Sequence, residues 1–434
     1  MKTTIVALSV LAILSPAWGQ TGYNARSMGL AGAYQGLALG PETARWNPAN
    51  LGLPGHPETC VELPSLAISL GNNALSLGLY NTYFSQDYFD ENEQWDAAAK
   101  DEILGAIPAS GFQGFNRLQL TALGVSWKRY ALSMNTFAYC DLHLPFNLFA
   151  VPLQGLGLDP VELTDVSGEA VAGTEFALSG AYPLNLGWDK VQDFSVGATV
   201  KILAGHAYAR MLDTGGRLLS NEDSISIDGY YRAILAGLPA DGGSTGWGYG
   251  LDLGAAARLN EEWSVGLTLS NILGSLRFNG LEEAQGSFSF HQPGLNQDEF
   301  GSFQEYLDSV TVESDTTFAT DGGVTWNPPR AAVLSATWRP SPRLALEADY
   351  HQGLNTTTGG STTPRLALGA ETRYYNFLPV RFGLALGGVQ GTTLAMGLGV
   401  EWGSYRLDLA AAGQRGLFNG SKGVNYALSQ RLIF

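Results

Sequence analysis

The chain has 434 residues, 40 acidic against 24 basic side chains and a formal net charge of −16, yet only 15% of it is charged, beside 55 glycines and 11% aromatics. So acidic a chain lacks the basic surface that nucleic-acid phosphates require, and no nucleic-acid partner is expected. Its low charge content is below the roughly one quarter usual in water-soluble domains.

Lys2 precedes an apolar run from Ile5 to Leu14, followed by Pro16, Ala17, Trp18 and Gly19. Residues 1–19 therefore read as a secretory signal peptide, with small Ala17 and Gly19 at the positions the peptidase reads. The run is too short for a membrane anchor, which needs about 20 apolar residues. Beyond it no stretch approaches about 18 apolar residues, which excludes transmembrane helices. Abundant Gly, Trp and Tyr with little charge suit strands that meet lipid on their outer faces and carry aromatic belts at their ends.

Residues 20–73 do not read as barrel wall. Gly29, Ala31, Gly32 and Ala33 permit close packing against a surrounding surface. Asn47, standing before Pro48, is pushed out of the α region and can cap a turn whose first position is Pro48.

Residues 74–434 read as an antiparallel transmembrane β-barrel of about 14 strands, each near ten residues. The expected strands are 75–84, 117–128, 131–142, 173–184, 192–208, 247–259, 262–278, 330–339, 342–352, 364–375, 379–388, 392–402, 404–413 and 424–434. In 392–402, Leu394, Met396, Leu398, Val400 and Trp402 alternate with Ala395, Gly397, Gly399 and Glu401. In 404–413, Leu407 and Leu409 alternate with Arg406 and Asp408. Turning Arg406 to lipid would cost about 2 to 4 kcal/mol at the midplane, so the charged face points inward. Strands 117–128 and 131–142 alternate too poorly to assign a facing.

Short connections alternate with long ones, notably 85–116, 143–172, 209–246 and 279–329, which places the short turns and both mature termini in the periplasm. Spacing predicts a helix over 91–107, stopped by Pro108, and a weaker one over 146–156. Segments 224–228 and 230–235 are expected to extend the wall above the membrane. Arg343, Glu347, Arg381, Glu401, Arg406 and Asp408, with Arg365, Glu371 and Arg373, form a mixed-sign lumen expected to pair with Arg26, Glu42 and Arg45 of the N-terminal segment.

Chemistry-bearing motifs are weak. Gly242, Ser244 and Gly246 match a nucleophile elbow in spacing but lie in a glycine-rich loop without the strand and helix that motif needs. Asp349 and His351 share one strand face, which fits lumen polarity better than catalysis. The five histidines lack zinc spacing. No enzyme, cofactor or metal site is expected. The acidic loop 279–329 reads as solvated charge, with calcium binding as its second reading. Cys60 and Cys140 make no disulfide framework, and whether they pair stays open.

The block from Ala25 to Tyr34, the triplet Asn47-Pro48-Ala49 and the terminal Phe434 resemble the long-chain fatty-acid transporter (FadL-like) superfamily of outer-membrane barrels. The pattern from Arg26 to Pro108 is similar to a branch related to the type IX secretion shuttle barrel. The resemblance implies that the N-terminal segment is a plug inside the lumen, with Arg26, Glu42, Arg45, Asn47, Pro48 and Ala49 as its plug and gating residues. It also implies a channel or transporter for hydrophobic or amphipathic solutes, for which the apolar outer-loop residues Leu144, Phe146, Leu148 and Phe149 are candidate capture residues. The alternative is a barrel that binds or shuttles exported protein cargo. The other expected partners are outer-membrane lipid, lipopolysaccharide and the assembly machinery that reads a terminal strand bearing Tyr426, Leu428, Leu432 and Phe434.

Overall fold

A computed structural model describes residues 24–91, 94–154, 160–162, 164–221, 224–237, 245–293 and 311–434. Residues 1–19, expected as a signal peptide, Ser244 and the acidic stretch 294–310 lie outside the described residues.

The wall begins earlier than the sequence suggests, with β1 at Thr59–Asn72. Glu62 and Pro64 argue against a strand there, but pairing with the last strand shifts register between Leu63 and Leu66, a bulge that accommodates the proline. Glu62 points inward and is buried. The segment expected as the first strand is instead α2 (Leu77–Tyr83), which Ser76 caps by accepting the Leu79 N–H at 3.2 Å. β1 thus lies within 20–73, the stretch that does not read as barrel wall.

The remaining strands are β2 (Phe112–Trp127), β3 (Tyr130–Leu144), β4 (Val161–Glu162), β5 (Ser167–Leu184), β6 (Asp193–Asn221), β7 (Ser224–Ala236), β8 (Gly246–Arg258) and β9 (Trp263–Ser270). They continue with β10 (Ser275–Pro293), β11 (Thr311–Trp326), β12 (Ala331–Ser341), β13 (Leu344–Gly353), β14 (Arg365–Tyr375), β15 (Leu378–Gly387), β16 (Thr393–Trp402), β17 (Tyr405–Gln414) and β18 (Gly423–Ile433). All pair antiparallel, and the circuit β1, β2, β3, β5, β6, β8, β9, β12 and onward to β18 closes where β18 meets β1. Lipid offers no partner for a free edge, so closure is what lets these strands span a membrane.

The circuit that closes holds fourteen strands, close to the expected count of about fourteen, while eighteen strands in all hydrogen-bond into the one sheet. β7 answers the expectation that 224–228 and 230–235 extend the wall, whereas β4, β11 and most of β10 come from segments that read as loop. β6 runs on past its expected end at 208, and its upper part pairs with β7, which pairs with β10, which pairs with β11. The single strand expected over 262–278 breaks at Asn271–Gly274, where Asn271 adopts φ 52°.

Side-chain facing explains the weak alternation of β2. Arg117, Gln119 and Thr121 point inward, then a bulge between Thr121 and Leu123 resets the phase so that Ser126 is also inward. The outer surface is apolar, with Met396, Leu398 and Leu409 exposed. Trp127, Tyr130, Trp188, Trp263, Tyr375 and the 82% exposed Trp402 ring the end that holds the short turns, as an aromatic belt does at a lipid boundary. Both cysteines are buried and free.

Inside the barrel sit residues 24–52, folded as α1 (Ala25–Gly29) and three short 3-10 turns, Gln35–Leu37, Gly40–Ala44 and Pro48–Gly52. The wall makes room for it with glycine. A Cβ at Gly383 would overlap the Leu30 backbone, and one at Gly197 would overlap Pro48 and Ala49. Gly383→Val or Gly197→Val is therefore expected to cost about 1 to 3 kcal/mol through overpacking. Heat-modifiable mobility in detergent gels measures this, with outward-facing Leu384→Val as the control that leaves mobility unchanged.

Candidate functional site

The plug is fixed by local capping before it reaches the wall. Asn24 accepts the Ser27 N–H at 2.7 Å while its own N–H donates to Ser27 Oγ at 3.0 Å, a reciprocal capping box that starts α1. This holds Arg26 against Glu371 of β14, in a two-pronged contact of 2.8 Å from Nε and 3.1 Å from Nη2.

From that pair a closed ring of buried groups can be traced. Glu371 Oε2 also accepts Arg381 Nε at 2.7 Å, and Arg381 Nη1 donates to Asp408 Oδ1 at 2.7 Å. Asp408 faces Arg431 at 3.5 Å, and Arg431 Nη1 donates to Glu42 Oε2 at 3.2 Å. The Tyr34 hydroxyl donates to the same Glu42 oxygen, and Arg26 Nη1 returns to Tyr34 Oη at 3.4 Å. Three members belong to the plug and four to β14, β15, β17 and β18. Charges alternate around the ring, so each ion has an opposite neighbour in a place where an unpaired one would be costly.

A second group extends outward, with Arg373 bonded to Glu371 at 3.0 Å and to Glu401 at 2.7 Å, and Arg406 to Glu401 at 3.2 Å. Other anchors are separate. Arg45 donates to Thr121 at 2.9 Å and lies 3.4 Å from Glu62. Glu347 accepts the Gly36 N–H at 2.7 Å, while Asp349 Oδ2 accepts those of Tyr34 and Gln35 at 2.7 and 2.9 Å. Asn47 caps its turn by accepting the Ala49 N–H at 3.0 Å and donates to the Ala255 carbonyl of β8 at 3.1 Å. Pro48 opens that turn, and Pro48 and Ala49 lie against Gly197 and Gly254.

Thus Arg26, Glu42, Arg381 and Asp408 meet in one ring, whereas Arg45 and Glu347 hold other parts of the plug. Arg343 is a correction: it sits exposed in the turn between β12 and β13, because β13 starts only at Leu344. Tyr34, Asp349 and Arg431 also hold the plug and were not singled out as plug anchors. Alternation of Arg431 against outward Tyr426 and Leu428 would have revealed it.

Above the plug the lumen is aromatic. Phe137 and Tyr139 of β3 lie 5.6 and 6.2 Å from Trp326 of β11, and Tyr208 of β6 lies 5.3 Å from Phe278 of β10. β3 and β11 are not paired neighbours, so this contact crosses the interior. The loop 354–364 reaches the same layer: Trp326 Nε1 donates to the Thr358 carbonyl at 3.3 Å, the Thr358 hydroxyl donates to Glu169, and Gly359 abuts Tyr139. Phe137 and Tyr139 fall on a strand of unassigned facing and Trp326 at the end of the acidic loop, which hid them from the sequence, while Tyr208 and Phe278 end two expected strands.

Leu144, Phe146, Leu148 and Phe149 are half-buried at the loop end. Phe146 and Phe149 pack with Leu104 of α4 (Ala97–Ala106), Ile107 and Phe112, and α5 (Asn147–Gln154) carries Leu148 and Phe149. At the turn end a cavity of about 870 Å³ opens beneath the plug, lined in part by Leu51, Leu53, His56, Lys128, Leu184 and Phe194. Burial pushes the His56 imidazole down to about 4, so it is neutral near pH 7.

Comparison with known proteins follows this geometry. Residues 58–411 match the model of a family of unknown function, DUF5723. The chain belongs to this family. No curated protein matches the sequence. Among solved structures, the toluene transporter TbuX of Ralstonia pickettii is similar at 15% identity and TM-score 0.51, covering 95% of this chain and 98% of that one. The toluene transporter TodX of Pseudomonas putida gives 12% and 0.54 over 96% and 99%, and a FadL homologue of Pseudomonas aeruginosa gives 14% and 0.50 over 96% and 99%. The DUF5723 chain therefore has the FadL-like outer-membrane barrel fold, and at these identities the likeness speaks for the fold alone.

Removing the shared counter-ion tests the ring. Glu371→Gln leaves Arg26 and Arg381 without it and is expected to destabilise plug seating by about 3 to 5 kcal/mol. Asn47→Ala removes a cap and should cost about 1 kcal/mol. Hydrogen exchange followed by mass spectrometry should show faster exchange across 24–51 in both, more in the first, with strands β14 to β18 still protected. Unchanged protection of 24–51 in Glu371→Gln would show that the ring does not hold the plug.

Proposed function

We propose that this barrel is an outer-membrane channel or transporter for hydrophobic or amphipathic solutes, closed at rest by its N-terminal plug. The observation that carries the reading is the aromatic layer of Phe137, Tyr139, Tyr208, Phe278 and Trp326 inside the lumen. A channel for hydrophilic solutes keeps a polar, water-filled interior, whereas stacked rings facing one another across a lumen favour an apolar guest. The toluene transporters that share the fold support the same solute class.

In this reading Leu144, Phe146, Leu148 and Phe149 meet the solute at the loop end and pass it to the aromatic layer. Arg26, Glu42, Arg45, Asn47, Pro48 and Ala49 hold the gate, and the cavity beside His56 is the exit. The loop end faces outward and both mature termini face the periplasm. Residues 20–58 then form the plug domain and 59–434 the wall. Outer-membrane lipid and lipopolysaccharide cover the belt, and the assembly machinery reads the strand ending at Phe434. The cargo-shuttle alternative draws on no observation of the structure.

Deleting 25–51 is expected to raise single-channel conductance in planar bilayers while heat-modifiable mobility persists. Full-length protein in detergent should bind members of a panel of neutral monoaromatics and long-chain fatty acids saturably, and Tyr139→Ser with Trp326→Ser should weaken that binding at least tenfold. Unchanged conductance removes the gate, and no saturable binding across the panel removes the solute class.

A further inference from the structure

A small cavity of about 60 Å³ lies where the plug meets the loop 354–364, between Arg45 and Trp46 of the plug, Arg330 and His351 of the wall, Arg365 of β14 and the turn at Gly359 and Gly360. Its described lining contains three arginines and a histidine and no Asp or Glu, in a chain that carries 40 acidic residues. Trp46, His351 and Arg45 are 2%, 5% and 8% exposed.

Among the described residues, Trp46 Nε1, Arg45 Nε, Arg330 Nε and His351 Nε2 make no hydrogen bond. Indole and guanidinium nitrogens can only donate, so what the cavity lacks is an acceptor. Buried donors left without one cost free energy, and buried cations cost more. The Asp349 carboxylate stands 3.9 Å from His351 Nε2 but outside the lining, and its Oδ2 already accepts the plug N–H groups of Tyr34 and Gln35.

We infer that this seam binds a small monoanion of carboxylate size, held by Trp46, Arg45 and Arg330. The volume admits about two waters' worth of matter, which suits a halide or a carboxylate group and excludes an aliphatic chain. Bound there, the anion ties plug, wall and the loop over the aromatic layer into one unit. The inference stands apart from the transport reading, since binding is measured on the closed barrel without any flux.

The test uses full-length protein in detergent with sodium gluconate, whose anion is too large, replaced at constant ionic strength by acetate or bromide. Tryptophan emission and thermal unfolding should respond saturably, and Arg330→Gln should weaken the response at least tenfold. Trp46→Phe, which keeps an aromatic side chain but removes the indole N–H, should weaken the response in thermal unfolding too, so a misfolded Arg330→Gln leaves the question answerable. Crystals soaked in bromide should show an anomalous peak between Trp46 and Arg330. An octanoate arm separates the sources: a response equal to that of acetate marks a free anion, and a tenfold tighter one marks the head of an amphipathic molecule, both supporting the site. No saturable response to any of the three anions, or equal responses in wild type and both variants, overturns it.

Discussion

A backbone N–H that faces hydrocarbon has no water to bond, and this requirement of the lipid belt governs everything else in the molecule. It forces the strands into a closed circuit, and the pairing of Cys60 with Ile433 and of Gly71 with Gly423 is where the circuit shuts. Closure has a second consequence. With the apolar side chains turned outward, every alternate residue is driven into a shared interior, and that interior must satisfy Arg381, Asp408, Glu371 and Arg431 without bulk water. The plug answers this demand from the sequence side by supplying Arg26, Tyr34 and Glu42 at the positions that complete the charge alternation.

The plug and the wall are therefore mutually dependent. Removing one ion from the ring leaves two opposite neighbours with less compensation, so the contribution of each pair is not separable from the rest. Shape supports charge. Gly29 lies against Gly397, and Leu30 against Gly369 and Gly383, so the small inward residues of β14, β15 and β16 form the bed on which α1 rests. Buried glycine gives no side-chain packing of its own, and its use here makes sense as room for another segment's backbone.

Much of the wall was legible because alternation survives wherever lipid and lumen impose opposite demands on neighbouring residues. β16 and β17 could be read with their facing, since Met396 and Leu409 on one side and Asp408 on the other leave one register. β1 was lost because Glu62 and Pro64 look wrong for a strand until one sees that the bulge takes the proline and Arg45 meets the carboxylate. The rise of β7 was expected, whereas β11 and most of β10 were hidden for a different reason. They rise beyond the expected span, where neither face needs to be apolar, so the period-two signal that betrays a barrel strand weakens. The Asn47 cap was visible because its chemistry is local, whereas the ring was visible only as a set of charges: sequence spacing shows which groups point inward but not which of them meet across a lumen.

The lumen is closed at two levels by unlike means. Ion pairs and backbone hydrogen bonds hold the lower closure. Aromatic stacking and the loop 354–364 form the upper one. These respond differently to a guest. An apolar molecule can displace Phe137 from Trp326 at little electrostatic cost, since rings exchange one apolar contact for another. It cannot separate Arg26 from Glu371 in that way, because the pair would first have to be replaced by other polar partners. On the proposed transport reading, the upper layer is the closure matched to an apolar guest, and the lower one to water and ions. If the barrel conducts solutes as proposed, a solute that crosses both would have to open the plug by a polar event, either entry of water around the ring or a shift of α1 along its glycine bed, and the capping box at Asn24 would hold that helix together through such a shift.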